Sequence, residues 1–141
     1  MAPAFDPEAL RRARVVAGLT QHELARRIGV AGGERVSQWE RGTSEPRPGS
    51  VRQIARVLKV PAATLMANSA DLDLRAMRTV AGLTASELAK RADISLSTLN
   101  RWEAGRFTRM PRRASVELLA RALGRRVHEV EAALSHFVSK D

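Results

Sequence analysis

The chain has no cysteine, so neither a disulfide nor a thiolate-held metal can staple it, and packing alone must hold it together. It has no run approaching the roughly 18 apolar residues of a membrane-spanning helix. Its opening stretch, Met1 to Arg14, lacks the apolar segment of a secretory leader. A cytoplasmic, nucleoid-associated protein is therefore expected. No alternating apolar run is long enough for a strand. Histidines 22, 128 and 136 stand apart, with neither metal-ligand spacing nor a nucleophile nearby. No catalytic residue, metal or cofactor is expected, and the chain does not read as an enzyme.

Lysine is scarce too. Of 24 basic residues only Lys59, Lys90 and Lys140 are lysine, and 21 are arginine. Against 15 acids this leaves a formal charge of +9. Residues 1–70 carry 11 basic and 6 acidic residues; residues 71–141 carry 13 and 9. Both halves are basic, which excludes a neutral domain with one basic tail and favours a polyanionic partner.

What is present is present twice. Leu10 to Leu24 (LRRARVVAGLTQHEL) matches Leu74 to Leu88 (LRAMRTVAGLTASEL) at an offset of 64. Val36 to Gly42 matches Leu99 to Gly105 at 63, and Ser50 to Leu58 matches Ser115 to Leu123 at 65. Such a period is too long for a solenoid unit and suits a duplicated compact domain whose loops have drifted. Two cores of roughly 65 residues each are expected, over residues 1–69 and 70–141, the second with an extended C-terminal helix.

Each copy reads as five short helices. Asp6-Pro7-Glu8 offers a cap, a proline at the first helical position and an acid in the first turn, for a helix that runs to Gly18. Thr20-Gln-His-Glu23 and Thr84-Ala-Ser-Glu87 are capping boxes for the second helices. Leu24, Ala25 and Ile28, or Leu88, Ala89 and Ala92, lie at helical spacing. The third helices carry Val36 and Trp39, or Leu99 and Trp102, and stop at Gly42 or Gly105. The spacing assigns both tryptophans to the core. Val51, Ile54, Ala55 and Leu58, or Val116, Leu119, Ala120 and Leu123, mark the fourth helices. A fifth is expected near Ala62–Ala67 and near Val127–Val138.

These residues resemble the lambda-repressor and Cro family of helix-turn-helix domains, the XRE type. Gly-Leu-Thr-x-x-Glu-Leu-Ala at Gly18–Ala25 and Gly82–Ala89, Trp-Glu-x-Gly at Trp39–Gly42 and Trp102–Gly105, and a closing Pro-x4-Val-x2-Ile/Leu-Ala carry the likeness. It covers about residues 8–66 and 72–134. The resemblance implies an all-α chain of two tandem five-helix DNA-binding domains. It also implies that helices 33–41 and 96–104 enter the major groove while helices 21–29 and 85–92 cross the backbone.

In copy two, Leu99 and Trp102 facing the core leaves Leu96, Ser97, Asn100 and Arg101 for DNA. The family's contact positions single out Leu96, Ser97 and Arg101. Arginine is the commonest reader of guanine, and leucine can meet a thymine methyl. The matching positions of copy one are Gly33, Glu34 and Gln38, with Arg35 beside them. Copy one is one residue longer here and opens on two glycines. Phosphate contacts are implied for Gln21, Thr43, Ser44 and Arg47 in copy one, and for Arg106, Thr108, Arg109, Arg112 and Arg113 in copy two. The resemblance further implies buried ion pairs Arg14–Glu40 and Arg78–Glu103, which would be scaffold.

Two functions from different classes remain open. One is a sequence-specific regulator of transcription on double-stranded DNA, a repressor. The other is a protein-interaction module, an antitoxin or adaptor that reuses the fold. The Gly-Gly-Glu opening of copy one supports the second, and the arginine-rich loop of copy two the first. Only about seven residues, Ala67 to Asp73, join the copies, at most about 25 Å when extended. Dimeric relatives sit on a palindrome with half-sites about 34 Å apart; one chain can imitate that dimer while reading an asymmetric site, because its two recognition helices differ. An apolar stripe of Val130, Leu134, Phe137 and Val138 suggests a homodimer interface; the alternative is packing back on copy one. No membrane partner is expected.

Overall fold

The computed structural model describes residues 4–138, with side chains described as far as Ser135. Among these it has nine α-helices and one 3-10 helix, and its only β-type pairing is an isolated bridge between Phe5 and Met66. Copy one contains α1 (Pro7–Val16), α2 (Gln21–Ile28), α3 (Gly32–Arg41), α4 (Pro48–Leu58) and the 3-10 turn Ala62–Leu65. Copy two contains α5 (Leu74–Val80), α6 (Ala85–Arg91), α7 (Leu96–Glu103), α8 (Arg113–Leu123) and α9 (Val127–Val138). Among the described residues, no helix is long and apolar enough to cross a membrane.

Local chemistry sets the helix ends. Asp6 accepts a hydrogen bond from the Glu8 amide at 3.1 Å and Pro7 opens α1. Thr20 and Glu23 exchange both bonds of a capping box at the start of α2, and Thr84 and Glu87 do the same for α6. These bonds satisfy amides that a helix start leaves without partners. Ser95 caps α7, accepting from Thr98 at 3.0 Å, whereas α3 starts after Ala31 with no side-chain cap. After α2 the chain turns through Gly29 (φ 77), and after α6 the same slot holds Asp93 (φ 57).

The fifth elements differ in kind. In copy one the expected helix is a 3-10 turn of four residues. Pro61 fixes its start, and Met66 leaves it in extended conformation to bridge Phe5. The Leu65 carbonyl accepts the Asp6 amide at 2.8 Å, so the N-terminal segment takes the bond that would have continued a helix. In copy two nothing interrupts, and α9 runs twelve residues.

One continuous apolar core joins the copies. Leu10, Leu24, Val36, Ile54 and Leu65 fill copy one, Leu74, Leu88, Leu99, Leu119 and Leu134 fill copy two, and Met66, Leu72 and Met77 are buried with both sets. Each fully buried large apolar side chain contributes about 1.5–3 kcal/mol. Contact between the copies runs through α4 and the 3-10 turn on one side and α5 on the other.

Trp39 is buried in the core; Trp102 packs against the core but is only half-buried and also borders an open groove. One expectation is corrected. Val130 and Leu134 have no exposed surface: α9 packs on α8 and α5 within copy two. They therefore cannot form a stripe facing a second subunit. The other half of that stripe, the side chains of Phe137 and Val138, lies outside the described residues.

Candidate nucleic-acid interface

The two helix pairs are braced from beneath by arginine. The Arg14 Nε stands 2.5 Å from Glu40 Oε2, its Nη2 3.0 Å from Oε1, and its Nη1 donates to the Leu19 carbonyl at 2.8 Å. Arg78 repeats this on Glu103 at 2.7 and 3.1 Å and on the Leu83 carbonyl at 3.1 Å. Each guanidinium thus ties the first helix of its copy, the turn before the second helix and the end of the third. Hydrogen bonding to Glu40 raises the Arg14 pKa above its ordinary value. A fork geometry of this kind fixes direction as well as distance.

Upon that brace α7 turns one face outward. Leu96, Ser97, Asn100 and Arg101 are exposed, and together with Arg106 they line one shallow groove. Leu96 leaves 43% of its surface to solvent. A second groove continues past the helix end, lined by Arg101, Trp102, Gly105, Arg106, Phe107, Thr108 and Arg109. The expected base-reading residues of copy two and three of its five expected phosphate residues are therefore contiguous. Arg112 and Arg113 are not part of these grooves. They begin α8, where Arg113 stands 3.5 Å from Glu117 and 3.8 Å from Glu131.

Two aromatics that sequence reasoning left out of the surface, Trp102 and Phe107, line this basic groove. Their presence between arginines in Arg101-Trp-Glu-Ala-Gly-Arg-Phe-Thr-Arg109 is a pattern that could have pointed to them, since flat rings beside basic groups suit nucleic acid.

Copy one arranges the same positions differently. Glu34 and Arg35 are exposed, and Glu34 lies 3.6 Å from Arg41 across open solvent. Gly33 sits against α2: a Cβ there would come within 3.0 Å of the His22 amide nitrogen. Close approach of two backbones accounts for this glycine. The Gln21 side chain donates to Glu40 at 3.1 Å and so faces inward. Gln38 is half-buried, and its carbonyl accepts both the amide and the hydroxyl of Thr43, at 3.0 and 3.1 Å. Ser44 and Arg47 remain exposed. Between them Glu45 accepts from the Phe5 amide at 3.0 Å and from Arg75 of α5 at 2.9 Å. Copy one thus directs into its own scaffold several groups that copy two leaves outward or lacks.

Among the described residues no cluster of three or more histidines or acids is placed to hold a metal ion. A helix-turn-helix family model matches the chain twice, over residues 10–65 and 74–130. No curated protein and no solved structure matches it.

Proposed function

The chain belongs to the lambda-repressor-like, XRE-type helix-turn-helix family in two tandem copies, and on that premise we propose that it reads double-stranded DNA sequence-specifically through the major groove, with α7 as the principal reading helix. DNA-binding regulators make up this family; it is not a family of enzymes. The observation that carries the finer reading is the outward face of α7. Leu96, Ser97, Asn100, Arg101 and Arg106 share one groove, and Arg101, Arg106 and Arg109 form no ion pair among the described residues. Side chains near the start of such a helix and one turn on reach base edges, while basic residues just beyond its end meet phosphates.

Arg101 is the residue for a guanine, through a bidentate pair to O6 and N7. Arg106, Thr108 and Arg109 would hold the backbone and supply affinity that falls with salt. Repression is the direction we propose, because occupancy of a promoter needs no further contact. Selection from random duplexes with a salt titration tests this. A recovered motif containing a guanine that Arg101→Ala no longer selects supports it; no enrichment of any sequence overturns it.

Copy one supports a second reading, a protein-interaction module. Its α3 presents Glu34, its Gln21 bonds Glu40 and its Glu45 is engaged with Phe5 and Arg75. On that reading substitutions in α3 would leave DNA binding unchanged and abolish capture of a protein partner.

A further inference from the structure

The two copies touch through different surfaces. On α4, Arg52 donates from Nη1 to the Ala81 carbonyl at 3.2 Å. Its stem covers Gly82, where a Cβ would lie 2.4 Å from Arg52 Cδ. Glu45, the residue before the loop proline of copy one, bonds Arg75 on α5.

A two-fold relation would require each contact to be returned by the equivalent residues. Gly18 is the equivalent of Gly82, yet it is exposed and a Cβ there would meet nothing within 4 Å. Arg11, the equivalent of Arg75, is also exposed. Met110, the residue before the loop proline of copy two, is met instead by Ser135 of α9 at 3.9 Å. The contact is unreciprocated, so the copies are joined head to tail.

The same comparison explains α9. On copy two α9 takes the place that α5 takes at the loop of copy one: Ser135 meets Met110 where Arg75 meets Glu45, Glu131 lies 3.8 Å from Arg113, and Ala133 and Leu134 are buried. It closes the face that a third copy would otherwise cover, as terminal units do in repeat arrays.

This geometry bears on the DNA. Two like domains docked alike on one straight duplex are related either by a dyad across its axis, which makes an inverted repeat, or by a screw along it. Head-to-tail contact removes the dyad. Resting on the reading of the chain as a specific DNA binder, we propose that the element held by one chain is asymmetric, with no inverted repeat, and that the chain lies on it in a single orientation. The sequence resemblance already suggests an asymmetric site, because the two reading helices differ, but in the dyad arrangement of a dimeric relative; the head-to-tail contact removes that dyad.

The test is selection from random duplexes with the full chain, with the number of chains per duplex measured by light scattering. The selected element is then rebuilt as an inverted repeat of the half that loses selectivity in Arg101→Ala. An asymmetric motif at one chain per duplex is expected, with at least a tenfold loss of one-chain affinity if both halves of the original are required, and no gain otherwise. An inverted repeat that takes two chains, one on each half, also supports the proposal. An inverted repeat selected and held by a single chain overturns it while leaving the DNA reading intact. No enrichment of any sequence overturns both.

Discussion

Arg78 and Glu103 meet at 2.7 Å beneath α7, with their side chains 12% and 7% exposed, and they join the first helix of copy two to the end of its reading helix. Removing one partner of such a pair leaves a charge with little water to solvate it. Glu103→Ala should therefore destabilise the chain by about 3 kcal/mol, the lower end of the range for breaking buried pairs because a little solvent reaches this one. Glu34→Ala, which breaks an exposed pair with Arg41, should stay within about 0.5 kcal/mol of the parent. Urea unfolding of both variants checks the contrast. Equal midpoints would mean that the brace under α7 adds nothing.

Arg101→Ala should weaken binding to the preferred element by roughly 1–3 kcal/mol and relax selection at one base pair. Binding to random duplexes should fall less, since phosphate contacts persist. An unaltered selected motif would remove Arg101 from base reading.

Arg106→Ala and Arg109→Ala should each flatten the dependence of log affinity on log salt by about one unit, on specific and random DNA alike. Arg113→Ala should flatten it less. Its guanidinium already faces Glu117 and Glu131, and release of that local pairing offsets what a phosphate would add. Three equal slopes would erase the distinction between the groove and the start of α8.

That distinction marks where sequence reading stops. The two capping boxes are legible because Thr20 and Glu23 lie three residues apart and their chemistry is local. The repeat and the helix-turn-helix pairs are legible because the same apolar spacing occurs twice. Glu45 is different: its partners Phe5 and Arg75 lie 40 and 30 residues away, and a carboxylate in a basic loop says nothing of either. The burial of Leu134 depends on where α9 turns after Gly124, which an apolar stripe alone does not specify. Long-range contacts decided each of these, within a copy for Phe5 and Leu134 and between copies for Arg75, and the repeat conceals them because they are not repeated.

The capping boxes make a pH prediction. Glu23 and Glu87 are held below the usual carboxylate pKa, first because the amides of Thr20 and Thr84 donate to them and then because the threonine hydroxyls bond with them. A lowered native pKa adds stability above the unfolded value of about 4.3, and that stability is lost as pH falls through the native value. Denaturation midpoints should therefore drop below about pH 4.3, and Glu23→Gln with Glu87→Gln should shrink the drop. Identical acid limbs in parent and double variant would assign the acid sensitivity to other carboxylates.

Gly33 offers the sharpest test of how copy one differs from copy two. At the matching slot copy two carries Leu96, whose side chain points outward, so α7 stands far enough from α6 to bear a side chain there. In copy one a Cβ at Gly33 would press on the amide nitrogen of His22 and on the Gln21 carbonyl carbon, at 3.0 and 3.3 Å. Those are backbone atoms at the start of a helix, and they can yield only if α3 moves away from α2. Gly33→Ala should accordingly destabilise the chain by about 1–3 kcal/mol, the usual cost of overpacking. Gly49→Ala, in the first turn of α4 with open space around it, should be neutral or stabilising by up to about 1 kcal/mol. Thermal unfolding of the pair separates the two effects. A stable Gly33→Ala variant would mean that α3 is free to shift on α2, and that the glycine serves a role other than close packing.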